Sequence, residues 1–95
     1  MLFLVISHPA PARSSEVAAA RRAFWDWVAP LQAAGTVRFC YPRVGRGAVA
    51  LFDVDSAETL QGHLTGWAEL IPATFDVLPL VDVEYQRRLV GGEGL

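Results

Sequence analysis

Apolar positions along this chain switch between two periods. Residues 2–6, LFLVI, are apolar on both alternating sets, as a strand covered on two faces requires. Pro9 and Pro11 end that run, and Ser14 or Ser15 then caps a long helix with Glu16 in its first turn. The stripe of this helix is Val17, Ala20, Phe24, Trp27 with Val28, and Leu31, close to a 3.6 period, with Arg22 and Asp26 opposite. Pro30 lacks the N–H that the helical ladder needs, so it kinks or ends the helix, and Gly35 supplies the stop. Residues 37–41 and 48–54 then alternate as two strands of a hairpin about Gly45-Arg46-Gly47.

The second helix starts sharply. Asp55 or Ser56 can accept from the free N–H groups of its first turn, and Glu58 lies three residues after Asp55, as a capping box requires. Its apolar stripe runs Leu60, Leu64, Trp67, and His63 falls on that stripe. Pro72 ends it, and a final strand is expected from Ala73 to about Tyr85. The order βαββαβ predicts a ferredoxin-like α+β fold: one four-stranded antiparallel sheet with two helices on one face. A single domain over residues 1–90 and a flexible glycine-rich tail over 91–95 are expected. One helix layer covers one sheet face. Both faces of these strands are apolar, so the second face needs a partner, and at least a dimer is expected.

Ninety-five residues bury something like 60–65% of the surface an unfolded chain exposes. A 53% hydrophobic share is generous for that length, and part of it suits a subunit interface. The net charge is −2 with no basic block, which argues against nucleic acid or an anionic membrane as partner. No run approaches the ~20 apolar residues of a membrane span. Residues 1–6 are too short and lack the basic start of a signal peptide, so a cytoplasmic location is expected. Abundant alanine and arginine, without lysine or asparagine, point to a GC-rich bacterial genome.

Absent residue types narrow the chemistry further. No lysine means no Schiff base, no pyridoxal-phosphate anchor and no phosphate-loop lysine. The single Cys40 forms no internal disulfide or thiolate cluster, and His8 and His63 show no metal-ligand spacing, so no cofactor or metal is expected. The turn from Arg43 to Gly47 reads as an ordinary hairpin turn rather than a phosphate cradle. Chemistry must then run on His, Asp, Glu, Tyr, Ser and Arg.

His63, an imidazole on an apolar helical stripe, is the leading catalytic candidate; a core-edge histidine held by one hydrogen bond is the plainer alternative. His8 ends the first strand before Pro9 and is either a turn histidine or the second member of a proton-transfer pair across one pocket. Strand alternation puts Arg38 on one face with Cys40, and Tyr41 with Val37 and Phe39. Arg38 suits either a bidentate grip on a carboxylate or an edge-strand charge; Tyr41 suits either a substrate oxygen or the core. Trp27 and Trp67 lie on core stripes and offer a wall for a flat ligand, while Trp25 is off the stripe and faces a pocket mouth or a partner. Asp76, inside an apolar strand, needs Arg38 or a histidine if it is buried.

The stretch 51–80 also resembles the muconolactone isomerase family of dimeric α+β barrel proteins. The resemblance lies in the F-D-V-D-S approach to the helix (Phe52 to Ser56), in Leu60, Leu64 and Pro72, and in the D-V-x-P-L run from Asp76 to Leu80. Residues 1–5 look like the family's opening strand, whereas Ile6, Ser7, His8 and Gln61 depart from its pattern. The resemblance implies sheets paired face to face as a homodimer, within a larger ring in some members. It implies a cofactor-independent isomerase or cyclase that moves protons on a small lactone, phenolic or polyketide-like substrate. A non-catalytic ligand-binding or assembly protein of the same fold, or a cofactor-free monooxygenase, is the alternative.

Overall fold

The computed structural model describes residues 1–92. Strand β1 (Leu2–Pro9) leads through a 3-10 turn (Ser14–Val17) into α1 (Ala18–Ala33). The hairpin β2 (Val37–Pro42) and β3 (Ala48–Asp53) follows, then α2 (Ala57–Leu70), β4 (Ala73–Leu80) and α3 (Val83–Val90). The strands form one antiparallel sheet in the order β2-β3-β1-β4, the ferredoxin-like arrangement expected from the sequence.

Strand alternation divides the sheet cleanly. On β1, Phe3, Val5 and Ser7 are buried beneath the helices, while Leu2, Leu4 and Ile6 are half-buried on the other face and His8 is exposed there. Register carries the division across the sheet, because directly opposed residues share a face. Val5 opposes Ala50 and Val77; Leu4 opposes Leu51 and Leu78. The core joins Phe3, Val5, Ala50 and Phe52 of the sheet to Phe24 and Val28 of α1 and to Leu60, Leu64 and Trp67 of α2. Trp67 sits at its centre, 4.7 Å between ring centroids from Phe24 and 5.1 Å edge-on from Phe75. The opposite face has no helix over it. Leu2, Leu4, Ile6, Phe39, Val49 and Leu51 stay half-buried there, and Leu78 and Leu80 are exposed.

Local chemistry explains most boundaries. Ser56 caps α2, its hydroxyl accepting the Thr59 N–H at 3.1 Å, while Asp55 accepts the Thr59 hydroxyl at 2.6 Å. Gly35 takes φ +80°, ending the turn after α1 where a side chain would be strained. Other boundaries differ from the sequence reading. Neither Ser14 nor Ser15 caps α1; they lie in the 3-10 turn, and no side chain bonds the first N–H groups of α1. Pro30 does not end α1, which continues to Ala33, with Pro30 still accepting the Ala34 N–H at 3.0 Å. The final strand stops at Leu80 rather than near Tyr85, so there are three helices among the described residues, not two. Asp82 accepts the Glu84 N–H at 2.8 Å and caps α3, whose last turn carries Arg87 and Arg88. Every residue of α3 except the half-buried Leu89 is exposed.

A bulge changes the faces of β2. Val37 opposes Phe52 and Phe39 opposes Leu51, leaving Arg38 as the extra residue. Arg38 therefore does not share a face with Cys40. Val37 and Cys40 point under the helices; Arg38, Phe39 and Tyr41 belong to the bare face. Of the expected tail, Gly91 and Gly92 form a turn, and the remainder lies outside the described residues. Among the described residues, no helix is long and apolar enough to cross a membrane.

Candidate functional site

A cavity of about 50 Å³ opens where β1 leaves the sheet, between the β2–β3 turn and the two long helices. Ser7 and Ala48 form its floor, Phe24, Trp25 and Trp67 its aromatic wall, and Arg21, Arg43 and Arg46 its rim. The β2–β3 turn closes over the strand end because Gly47 lacks a side chain. A Cβ there would lie 2.7 Å from the Ser7 carbonyl oxygen, and its φ of +102° already demands glycine. Ser7 is only 2% exposed and sits at the buried parity of an otherwise apolar strand. Its Oγ accepts the Ala48 N–H at 2.8 Å, which leaves its own proton to donate.

Arg43 ties this cavity to the bare face. Its Nη1 donates to the Ser7 carbonyl at 2.8 Å and stands 3.3 Å from His8 Nδ1. His8 Nε2 is 2.8 Å from Asp76 Oδ2, the histidine partner expected for that aspartate. Because an arginine only donates, Nδ1 is the accepting nitrogen and Nε2 carries the proton toward Asp76. Both members of the pair are solvent-facing in a single chain, 44% and 66% exposed.

The remaining sequence candidates scatter. His63 is half-buried on α2, its ring 5.8 Å from that of Phe52, one turn before Trp67 and away from the cavity. It lies under the helix layer and His8 lies on the bare face. The expected pairing of the two histidines across one pocket is therefore not formed within a chain, because the strand parity at position 8 turns that side chain away. Trp67 lines the cavity, and Trp27 packs behind it at 6.5 Å between ring centroids. Tyr41 is exposed on the bare face beside Phe39, at 5.8 Å. Arg38 is there too, donating through Nε at 3.0 Å and through Nη2 to Asp53, which also lies 3.6 Å from the terminal amine. The Arg38 hydrogen bonds hold the Asp53 carboxyl below its usual range, and the nearby positive charges add to this.

Ser7, Arg21 and Arg46 were not singled out as site residues from the sequence, and Arg43 entered only with the second strand and its turn. Two signals point to them in retrospect. Ser7 is the one polar residue on the buried parity Phe3-Val5-Ser7, and Arg21 and Trp25 stand four apart on α1, off its apolar stripe.

This ferredoxin-like α+β architecture is shared with solved proteins. One is 5-chloro-2-hydroxyhydroquinone dehydrochlorinase (TftG) from Burkholderia phenoliruptrix AC1100, in complex with 2,5-dihydroxybenzoquinone. It is 17% identical with a TM-score of 0.70 over 90% of this chain and 98% of that one. Another is muconolactone isomerase, 24% identical with a TM-score of 0.66 over 86% of this chain and 90% of that one. The resemblance to the muconolactone isomerase family seen in the sequence is thus borne out in the fold. No curated protein matches the sequence. The chain belongs to the family described as Domain of unknown function (DUF3303), whose model matches residues 1–93.

Proposed function

We propose that this protein is a cofactor-independent isomerase or cyclase that moves a proton on a small, oxygen-rich ring compound of the lactone, phenolic or polyketide kind. The observation that carries the reading is the His8–Asp76 pair set against Arg43. Asp76 fixes the ring tautomer, so the basic lone pair is on Nδ1; Arg43 turns from Nδ1 to the substrate oxygen, which frees Nδ1 to take a proton, and Asp76 stabilises the imidazolium formed. In the step, a C–H bond next to a carbonyl breaks and an N–H bond forms on His8. The electron pair moves into an enolate whose oxygen charge Arg43 is placed to hold. Return of the same proton to a different carbon completes an isomerisation. Since the two histidines occupy opposite faces, this shuttle runs on one base. His63 takes part only if the substrate spans both sides of the strand end. The fold neighbours support the chemistry in kind: one is named as an isomerase of a lactone, the other as a dehydrochlorinase of a hydroxyhydroquinone with a quinone bound.

The bare sheet face supports self-association as a homodimer or larger ring. Pairing two sheets would cover its leucines at roughly 25 cal/mol per Å² of apolar area. It would also enclose His8 and Asp76, and set Tyr41 and Arg38 against the partner rather than the cavity. Their exposure in one chain favours a second reading, a ligand-binding protein of the same fold without catalysis.

Purified protein assayed against a panel of small lactones and hydroxyquinones separates the two. His8→Ala and His8→Gln should lower turnover about 10²–10⁴-fold, the usual contribution of a positioned base, with His63→Ala close to wild type. Wild-type turnover in both His8 variants would sink the mechanism. Saturable binding with no turnover on any panel member would support the second reading.

A further inference from the structure

The chain has no lysine and eight arginines, which divide into two groups with Arg22 left over, outside the cavity and in no ion pair among the described residues. Arg13 pairs with Glu16 at 3.8 Å, Arg87 with Glu84 at 3.2 Å, and Arg38 with Asp53; Arg88 lies 6.0 Å over the Tyr85 ring. Arg21, Arg43 and Arg46 instead line one cavity, and among the described residues no carboxylate pairs with any of them. Among the described residues no acidic side chain lines this rim. The nearest carboxylate in the network, Asp76, is engaged by His8 Nε2.

Two of the three guanidiniums are held in place. Arg43 Nη1 donates to the Ser7 carbonyl at 2.8 Å and Arg46 Nη1 to the Ala10 carbonyl at 2.7 Å. A guanidinium has five N–H groups, so each keeps donors free after this anchoring. Ser7, 2% exposed, adds a hydroxyl proton at the floor. The cavity is too small for a whole ring but has room for the few atoms of a carboxylate. Trp25, 36% exposed, stands at its mouth, where a ring attached to that carboxylate would rest.

We propose that this cavity is an anion site for a flat, ring-bearing carboxylate, with the carboxylate held by Ser7 and the forks of Arg21, Arg43 and Arg46 and the ring against Trp25. Planar guanidinium donors match a carboxylate or a phosphate bidentately, and the indole at the mouth is what favours an acid bearing a flat ring over inorganic phosphate. The inference deepens the reading above and rests on it for Arg43, the guanidinium that lines this cavity and also reaches His8. It names the charge and shape of the substrate.

The test is a titration of the whole protein with benzoate, followed by tryptophan fluorescence, because Trp25 and Trp67 line the cavity. Benzoate should bind saturably and more weakly at high salt. Benzamide and benzyl alcohol, of the same shape but neutral, should bind at least about tenfold more weakly, and inorganic phosphate should compete poorly. Arg21→Gln should weaken benzoate binding about tenfold or more, while Arg22→Gln, the adjacent arginine outside the cavity, should leave it unchanged. Circular dichroism establishes that both variants fold. Equal binding of benzamide, or equal effects of the two variants, overturns the anion site; phosphate competing as well as benzoate overturns the flat-ring assignment. The two proposals fail separately. Turnover of a neutral lactone that needs His8, without benzoate binding, removes the anion site alone. Benzoate binding alongside full turnover in His8→Ala removes the His8 mechanism alone.

Discussion

The two faces of the sheet use the same strands to opposite ends. Under the helices, Phe3, Val5, Ala50 and Phe52 are buried and join the rings of Phe24 and Trp67. On the other face, Leu4, Ile6, Val49 and Leu51 are just as apolar yet stay half-buried. The covered face builds a core and, where that core runs out at the end of β1, a cavity. The bare face carries an apolar surface edged by the His8–Asp76 hydrogen bond and the Arg38–Asp53 ion pair. Consecutive residues on one strand end, Ser7 and His8, belong to different faces, and the Arg43 guanidinium touches both. A substrate oxygen held by that guanidinium would be within reach of groups from either side. Pairing of sheets and access to the cavity are therefore separable questions.

The widest gap between the faces should show in neighbouring residues of β3. Phe52→Ala removes a ring that is 0% exposed and should cost about 3–5 kcal/mol in urea denaturation at any protein concentration. Leu51→Arg, one position away, should leave the single-chain fold intact and halve the mass seen by light scattering at micromolar concentration. A wild-type protein that already runs at the mass of one chain would end the case for paired sheets.

A smaller effect is expected where α2 begins, at the far end of the covered face from the cavity. Replacing Asp55 and Ser56 together by alanine removes all three side-chain bonds to Thr59 and should cost about 1–2 kcal/mol. Benzoate binding should be retained if stability and site are as separate as the geometry makes them. Unchanged thermal stability in the double variant would show that the cap contributes nothing.

The smallest effect belongs to Cys40, which the bulge turns under the helices. Burial pushes its thiol up to about 11 from an ordinary 9.0. At pH 8 its thiolate should be about 100-fold scarcer than in the unfolded chain, so alkylation by iodoacetamide should be slow until urea is added. The sign for stability follows directly. The unfolded thiol loses its proton near pH 9 while the folded one keeps it to about 11, so stability falls as pH rises through that window. Rapid labelling of native protein would place Cys40 on the bare face and remove the bulge assignment.

Local signals marked most of the fold. The alternation on β1, the Ser56 cap, the Gly45–Gly47 turn and the stripe Leu60-Leu64-Trp67 were each legible, because each rests on contacts within a few residues. The misreadings have different causes, one local and one not. A strand run through to Tyr85 missed Asp82 as a cap, and strict alternation on β2 missed an extra residue that only the pairing with β3 reveals. Among candidate site residues, a histidine beside Asp76 was legible as one of two partners, with Arg38, though on the premise of burial, and Asp76 is 66% exposed. The arginine cavity was not, since Arg21 and the turn bearing Arg43 and Arg46 meet only through the packing of α1 beside the hairpin.

The sequence by itself determined the βαββαβ order up to the fourth strand, the ferredoxin-like topology and the chemistry available: arginine without lysine, two histidines, one cysteine. Those follow from period, capping and composition, which are properties of neighbours along the chain. Tertiary structure alone decided that His8 and His63 stand on opposite faces, that Arg38 turns outward at a bulge, and that three arginines converge beside Ser7. Strand register and helix docking set those distances. They are fixed by the summed burial of distant side chains, so no local window of the chain contains them.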